Sequence, residues 1–202
     1  MNKLKIINIG FIVLYIGIML YQLMNYGSTM TTSKMLTTLA IIPVTAGPFL
    51  IKKNLKYEMS ETLKIFYYLF VLIALILGSI LGWYYKISWF DLFAHLISGI
   101  VMMVVALIIL KKNHLLRKEL MWFHIIFMLA FGLMIASFWE FFEFTSDNIL
   151  GGDTQWVKET GVDDTMGDML IAFFGSILFC IYYFIEVKVK KDKFMKKLDH
   201  VL

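Results

Sequence analysis

The sequence predicts an all-α membrane protein with about six transmembrane helices and both termini in the cytoplasm. Three observations support this fold class: the composition, the length of the apolar segments and the distribution of the basic residues. Hydrophobic residues make up 60% of the 202 residues and charged residues only 17%, whereas soluble domains average about 45–50% and about 25%. So apolar a chain can form neither a soluble surface nor a disordered coil. The single cysteine, Cys180, excludes an internal disulfide and a cysteine-based zinc site.

Six apolar segments of roughly 20 residues are each long enough to cross a hydrocarbon core about 30 Å thick. The second segment is the shortest, and Pro43 and Pro48 predict a kink there because proline removes a backbone donor. The connecting loops are too short for a second domain, so residues 1–202 are predicted to form a single transmembrane domain. The predicted helices are Leu4–Met24, Met35–Ile51, Leu63–Tyr85, Phe90–Leu110, Met121–Ile149 and Thr165–Val187.

Placing successive loops on alternate sides of the membrane separates the basic residues almost completely. Sixteen of the nineteen lysines and arginines fall on the side of the two termini, which the positive-inside rule assigns to the cytoplasm. Only Lys34, Lys86 and Lys158 lie on the other side. Omitting any one helix would destroy this asymmetry. The lysine-rich tail, residues 188–202, is predicted to lie on the anionic inner leaflet, and nothing in the sequence favours nucleic acid as a partner.

Acidic residues collect at the opposite, extracytoplasmic end of the last three predicted helices. Six candidate functional residues form three pairs with i, i+3 or i, i+4 spacing, so that each pair shares one helix face. Ionisable groups at membrane depth are costly and usually face a bundle interior or a water-filled cavity. Gly99 and Gly175 would let these helices approach closely. The six candidates are Asp91, His95, Glu140, Glu143, Asp164 and Asp168.

Five carboxylates and one imidazole cannot all stay ionised in one small volume, because like charges oppose one another's ionisation. Either several acids are protonated or a divalent cation is bound, and oxygen ligands with one histidine suit Mg²⁺, Mn²⁺, Fe²⁺ or Zn²⁺. All six residues are therefore candidate metal ligands, with His95 and Glu143 as candidate catalytic bases. Asp91 and Asp164 have a second interpretation, since each lies near a helix start, where a carboxylate complements the helix dipole.

The segment Gly151–Asp163 is the longest extracytoplasmic loop of the predicted topology. Gly151 and Gly152 permit a sharp exit from the preceding helix. Gln155 and Trp156 could return over the acidic residues as a lid, and a simple surface connection fits the sequence equally well.

Three segments that carry these acids resemble a known family. FDLFAH at 90–95, SFWEFFE at 137–143 and DTMGDM at 164–169 are similar to the YjdF-like family of bacterial inner-membrane proteins. The resemblance implies a multi-pass protein of the bacterial cytoplasmic membrane and supplies no reaction or catalytic residue. The order of the motifs is also similar, more loosely, to that of the VanZ-like proteins of glycopeptide resistance, in which an asparagine takes the place of Asp168.

The sequence is compatible with three functions. The first is a metal-dependent enzyme that acts at the outer face on a lipid or a lipid-linked envelope precursor. The second is a non-enzymatic binding or accessory protein that protects the cell envelope. The third is a cation- or proton-coupled transporter, which is disfavoured because the acids cluster at one end of the helices.

Overall fold

The computed structural model describes residues 2–190, and every regular element in this range is helical. The chain divides between Ser88 and Trp89 into two compact units, and the expectation of a single transmembrane domain stays a prediction. The helices are α1 (Lys3–Tyr26), α2 (Thr32–Leu39), α3 (Ile41–Thr45), α4 (Gly47–Leu55), α5 (Glu61–Val71, continued by a π-helix over Leu72–Ile80), α6 (Trp83–Lys86), α7 (Phe90–Lys112), α8 (Met121–Leu150), α9 (Val157–Thr160) and α10 (Asp163–Lys190).

The number of membrane-spanning helices agrees with the prediction. Within the described residues, α1, α5 with its π-helix, α7, α8 and α10 are long and apolar enough to cross a membrane, and the bent α2–α4 segment would make a sixth span. Large hydrophobic side chains such as Met24, Trp122 and Phe141 are exposed on these helices, as expected of surfaces that face lipid. The side on which each terminus lies stays a prediction. The predicted lipid contact of the tail concerns residues 191–202 above all, and these lie outside the described residues.

In the first unit, α1 packs against α3 and α5 through a mainly aromatic and aliphatic core. The hydroxyl of the fully buried Tyr15 donates a hydrogen bond to the carbonyl of Tyr68. This carbonyl lies one turn before the π-helix, where the regular pattern of backbone hydrogen bonds changes. The rings of Tyr15 and Tyr68 also meet edge to face, with centroids 6.0 Å apart, a geometry that aromatic pairs favour.

The second predicted span is bent between Thr45 and Gly47, just before Pro48, which confirms the expected kink. The axes of α2–α3 and α4 differ by 55°. Because proline has no N–H, the carbonyl of Val44 loses its normal helical donor, and the hydroxyl of Tyr67 donates to it instead at 2.7 Å. Gly47 makes room for this contact, since a Cβ there would lie 2.1 Å from the Tyr67 hydroxyl oxygen. A tyrosine from α5 thus replaces the hydrogen bond that the proline removes.

In the second unit, α10 packs along both α7 and α8. Two glycines bring α7 and α10 close together, as the sequence predicts. A Cβ at Gly99 would lie 1.9 Å from the carbonyl oxygen of Ala172, and one at Gly175 would lie 2.3 Å from the carbonyl oxygen of Leu96. Each glycine therefore lies against the backbone of the opposite helix, a form of packing that is common between membrane helices.

Candidate functional site

Three of the six candidate residues form one compact group, which we call the Asp–His–Asp group: Asp91, His95 and Asp168. The Nε2 atom of His95 lies 3.5 Å from Oδ1 of Asp91 and 3.6 Å from Oδ2 of Asp168. One potential ligand atom from each residue lies within 4.8 Å of the other two. His95 and Asp168 are buried, with 9% and 2% of their surfaces exposed, and Asp91 is half-buried.

The crossing of α7 and α10 explains how these residues meet. Asp91 lies in the first turn of α7, one turn before His95, and the two share a face as their spacing predicts. Gly99 follows His95 by four residues, and Ala172 follows Asp168 by four. Because Gly99 lies against Ala172, the helices place His95 beside Asp168 one turn away. The glycine contact therefore sets the register of the Asp–His–Asp group.

The two separations between His95 and the aspartates are short enough for a single metal ion. Carboxylate oxygen and imidazole nitrogen bind Zn²⁺ at about 2.0–2.2 Å, so that two ligand atoms of one such ion lie at most about 4.4 Å apart. The observed distances of 3.5 and 3.6 Å are inside this limit. Two carboxylates and one imidazole are also a donor set that borderline divalent ions accept. Ligands presented by neighbouring helices are the usual construction of carboxylate metal sites in helical bundles.

Glu140 is buried beside a different partner, the loop residue Gln155. The side-chain amide nitrogen of Gln155 lies 3.2 Å from Oε2 of Glu140 and 3.1 Å from the hydroxyl oxygen of Thr165. Oε1 of Glu140 is buried and has no hydrogen-bond partner among the described residues. A buried carboxylate oxygen without a partner is costly. This atom is therefore a candidate position for a ligand.

Glu143 and Asp164 lie around the Asp–His–Asp group rather than in it. Glu143 accepts a hydrogen bond of 2.9 Å from the indole N–H of Trp139 on the same helix. Asp164 lies in the first turn of α10, and its Oδ2 is buried without a hydrogen-bond partner in the described chain. Both carboxylates are close enough to His95 to interact with it electrostatically. A direct role for Glu140, Glu143 and Asp164 as metal ligands stays a prediction.

The loop between α8 and α10 brings Gln155 back against Glu140, and its interpretation as a lid stays a prediction. Gly151 ends α8 with a φ of 72°, a conformation that favours glycine. The carboxylate of Asp147 then accepts hydrogen bonds from the backbone N–H and the hydroxyl of Thr154 at 2.7 and 2.9 Å, and from the N–H of Gln155 at 3.2 Å. Gln155 is consequently buried, whereas Trp156 is half-buried.

Sequence reasoning missed the part that Asp147 has in holding this loop. The available signal is a carboxylate at the end of a helix, followed by two glycines and a threonine within seven residues. Aspartate is prone to accept hydrogen bonds from nearby backbone N–H groups in turns.

Comparison with known proteins identifies the family. A family model described as "Predicted membrane protein (DUF2238)" matches residues 7–188, a range that includes all six candidate residues and nearly all of every long helix. This agrees with the resemblance to the YjdF-like family, and the looser similarity to the VanZ-like proteins stays a prediction. No curated protein and no solved structure matches the chain. Since the match extends over nearly the whole sequence, the chain belongs to the DUF2238 family of predicted membrane proteins.

Proposed function

We propose that this membrane protein binds one divalent cation through Asp91, His95 and Asp168. In this proposal the cation serves an enzyme that acts on a lipid or a lipid-linked envelope precursor. The single observation that carries the proposal is the Asp–His–Asp group, whose potential ligand atoms lie within 4.8 Å of one another. Two carboxylates would balance the charge of a divalent ion. The lysines of α7 and α10 lie at the other ends of these helices and cannot neutralise the two carboxylates in place of a cation.

When bound, such a cation polarises a phosphoryl or carbonyl oxygen or generates a nucleophile from water. His95 directs Nε2 towards both aspartates and therefore serves as a ligand in this proposal rather than as the base. Glu143 remains as the general base, oriented by the indole N–H of Trp139. Gln155 orients Glu140 and leaves its second oxygen available to a ligand.

The location of the site is also part of the proposal. The distribution of the basic residues favours cytoplasmic termini, which would place the Asp–His–Asp group at the extracytoplasmic face of the bacterial cytoplasmic membrane. A lipid-linked substrate could then reach the group from the outer leaflet.

The second candidate function is a non-enzymatic binding or accessory protein. The observation behind it is the buried contact between Gln155 and Glu140, because a loop held against a helix that carries candidate residues suits retention of a ligand. A transporter has less support, since the interior of the second unit beyond the site is filled by the fully buried apolar side chains of Met103, Leu107 and Met128.

The metal content of the purified protein tests the proposed site. Wild-type protein prepared without chelator should carry about one divalent ion per chain, and Asp168→Asn should lose it because one of three ligands is removed. Asp153→Asn is the matched control, since the Asp153 carboxylate lies in the loop, 3.9 Å from the exposed Lys158. Adding the ion to metal-free wild type should raise the melting temperature, because a ligand that binds only the folded form stabilises it. A wild type that holds no ion, and whose melting temperature does not respond to Mg²⁺, Mn²⁺, Fe²⁺ or Zn²⁺, would refute the proposal.

Glu143→Gln distinguishes the enzyme from the binding protein. The substitution leaves the Asp–His–Asp group intact, so the variant should retain the cation in either case. An enzyme that uses Glu143 as its base loses about 10²–10⁴-fold in rate and fails to complement a deletion strain, for example in its sensitivity to envelope-targeting compounds. A variant that binds metal and complements fully would favour the accessory function.

A further inference from the structure

The end of the second unit opposite the Asp–His–Asp group carries an apolar groove between α8 and α10. Its volume is about 280 Å³, and its lining side chains include Trp122, Ile125, Leu129, Ile177 and Phe184. The rings of Trp122 and Phe184 lie 5.5 Å apart, centroid to centroid, and join the two helices at one end of the groove. In a membrane protein, an apolar groove on the outside of two spanning helices faces the acyl chains of lipids.

A basic pocket adjoins this groove. Its volume is about 230 Å³, and its lining residues include Lys118, just before α8, and Lys188, in the last turn of α10. The Nζ atom of Lys188 lies 5.8 Å from the centre of the Phe184 ring, and Phe184 also lines the apolar groove. Two exposed lysines therefore lie where the apolar groove ends.

We infer that the groove and the basic pocket together bind one anionic phospholipid. The lysines of the pocket would contact the phosphate, and the groove would hold part of one acyl chain. Charge complementarity selects the occupant, because a zwitterionic lipid brings no net negative charge to the two lysines. The predicted topology agrees, since it places this end of the helices in the cytoplasmic leaflet, where anionic lipids attract basic residues. The inference is independent of the proposed function and of whether a metal is bound.

Native mass spectrometry of the full chain in detergent, titrated with phosphatidylglycerol or phosphatidylcholine, tests the inference. Wild type should retain phosphatidylglycerol in preference to phosphatidylcholine. The double variant Lys118→Gln/Lys188→Gln should bind phosphatidylglycerol about 25-fold more weakly, at about fivefold for each lysine removed. The double variant Lys111→Gln/Lys112→Gln is the matched control, because it removes the same charge from the same end of the unit outside the pocket. Its affinity should stay within about twofold of wild type.

A second variant tests the groove without changing the charge. Ile181 lines the groove and is half-exposed, so Ile181→Trp should fill the groove, leave the fold intact and weaken binding of phosphatidylglycerol. Three results would overturn the inference. They are wild-type affinity in the Lys118/Lys188 variant, equal binding of phosphatidylcholine by wild type, and binding of phosphatidylglycerol only after deletion of residues 191–202. The last result would make the tail the occupant of the groove.

Discussion

Replacing Gly99 by alanine should push α7 and α10 apart. The added Cβ would lie 1.9 Å from the carbonyl oxygen of Ala172, whereas ordinary contact begins at 3.4 Å, so the shortfall is about 1.5 Å. The obstacle is a backbone atom, and no side-chain rotation can relieve it. The two helices must therefore separate by most of that distance.

Separating α7 from α10 should lower the stability of the protein and increase the distance between the proposed metal ligands. Overpacking of this kind destabilises by about 1–3 kcal/mol, and a backbone obstacle favours the upper end. The higher helix propensity of alanine returns up to about 1 kcal/mol, so we expect a net loss of about 2 kcal/mol. The distance between His95 and Asp168, now 3.6 Å, would increase towards about 5 Å, which exceeds the roughly 4.4 Å that one cation can span.

Thermal unfolding in detergent and metal content measure these two effects. Gly167→Ala is the matched control, because Gly167 lies on the partner helix α10 and a Cβ there would meet nothing within 4 Å. The control should be at least as stable as wild type, since it gains helix propensity without a clash. A Gly99→Ala variant that melts no lower than the control and keeps its cation would refute the assignment of the crossing and of the ligand group.

Two further predictions concern the topology and the bent span. A cysteine at Thr154 should react with a membrane-impermeant maleimide in whole cells, and one at Asn113 only after permeabilisation; the reverse pattern would place the Asp–His–Asp group on the cytoplasmic side. Tyr67→Phe should lower the free energy of unfolding by about 1–2 kcal/mol, because the carbonyl of Val44 then loses the donor that replaces the missing proline N–H. The same change at the exposed Tyr85 should have a smaller effect on thermal unfolding, and equal effects would contradict the part assigned to Tyr67.

Local spacing predicts the site within one helix but not between helices. The four-residue interval between Asp91 and His95 is enough to place both on one face of α7. Oδ1 of Asp91 lies 3.5 Å from Nε2 of His95. The contribution of Asp168 depends on how α10 is rotated about its axis, and sequence periodicity alone does not determine that rotation. Gly99 and Gly175 indicate which faces of α7 and α10 meet, because only a residue without a Cβ lets the backbone of another helix approach so closely.

The partner of Glu140 is harder to predict because it comes from a loop. Gln155 reaches Glu140 only because Asp147 binds the backbone of the loop at two positions, and such contacts have no periodic signature. The bent span shows the same limit. Pro48 predicts that a carbonyl loses its donor, but only the packing of α5 shows that Tyr67 replaces it.

Charge balance then divides the six candidate residues into two sets. In the proposed function, Asp91 and Asp168 offset a divalent cation that neutral His95 also binds, and Glu140, Glu143 and Asp164 remain with no cation of their own. Glu143 has the indole N–H of Trp139 and Glu140 the amide of Gln155, but one oxygen each of Glu140 and Asp164 is buried without a hydrogen bond in the described chain. These two oxygens are open positions for a ligand, because a buried carboxylate oxygen without a hydrogen-bond partner is costly. A divalent cation can polarise a phosphoryl or carbonyl oxygen, and a nearby carboxylate such as Glu143 can act as a general base. This pairing is why we favour the enzyme over the accessory protein.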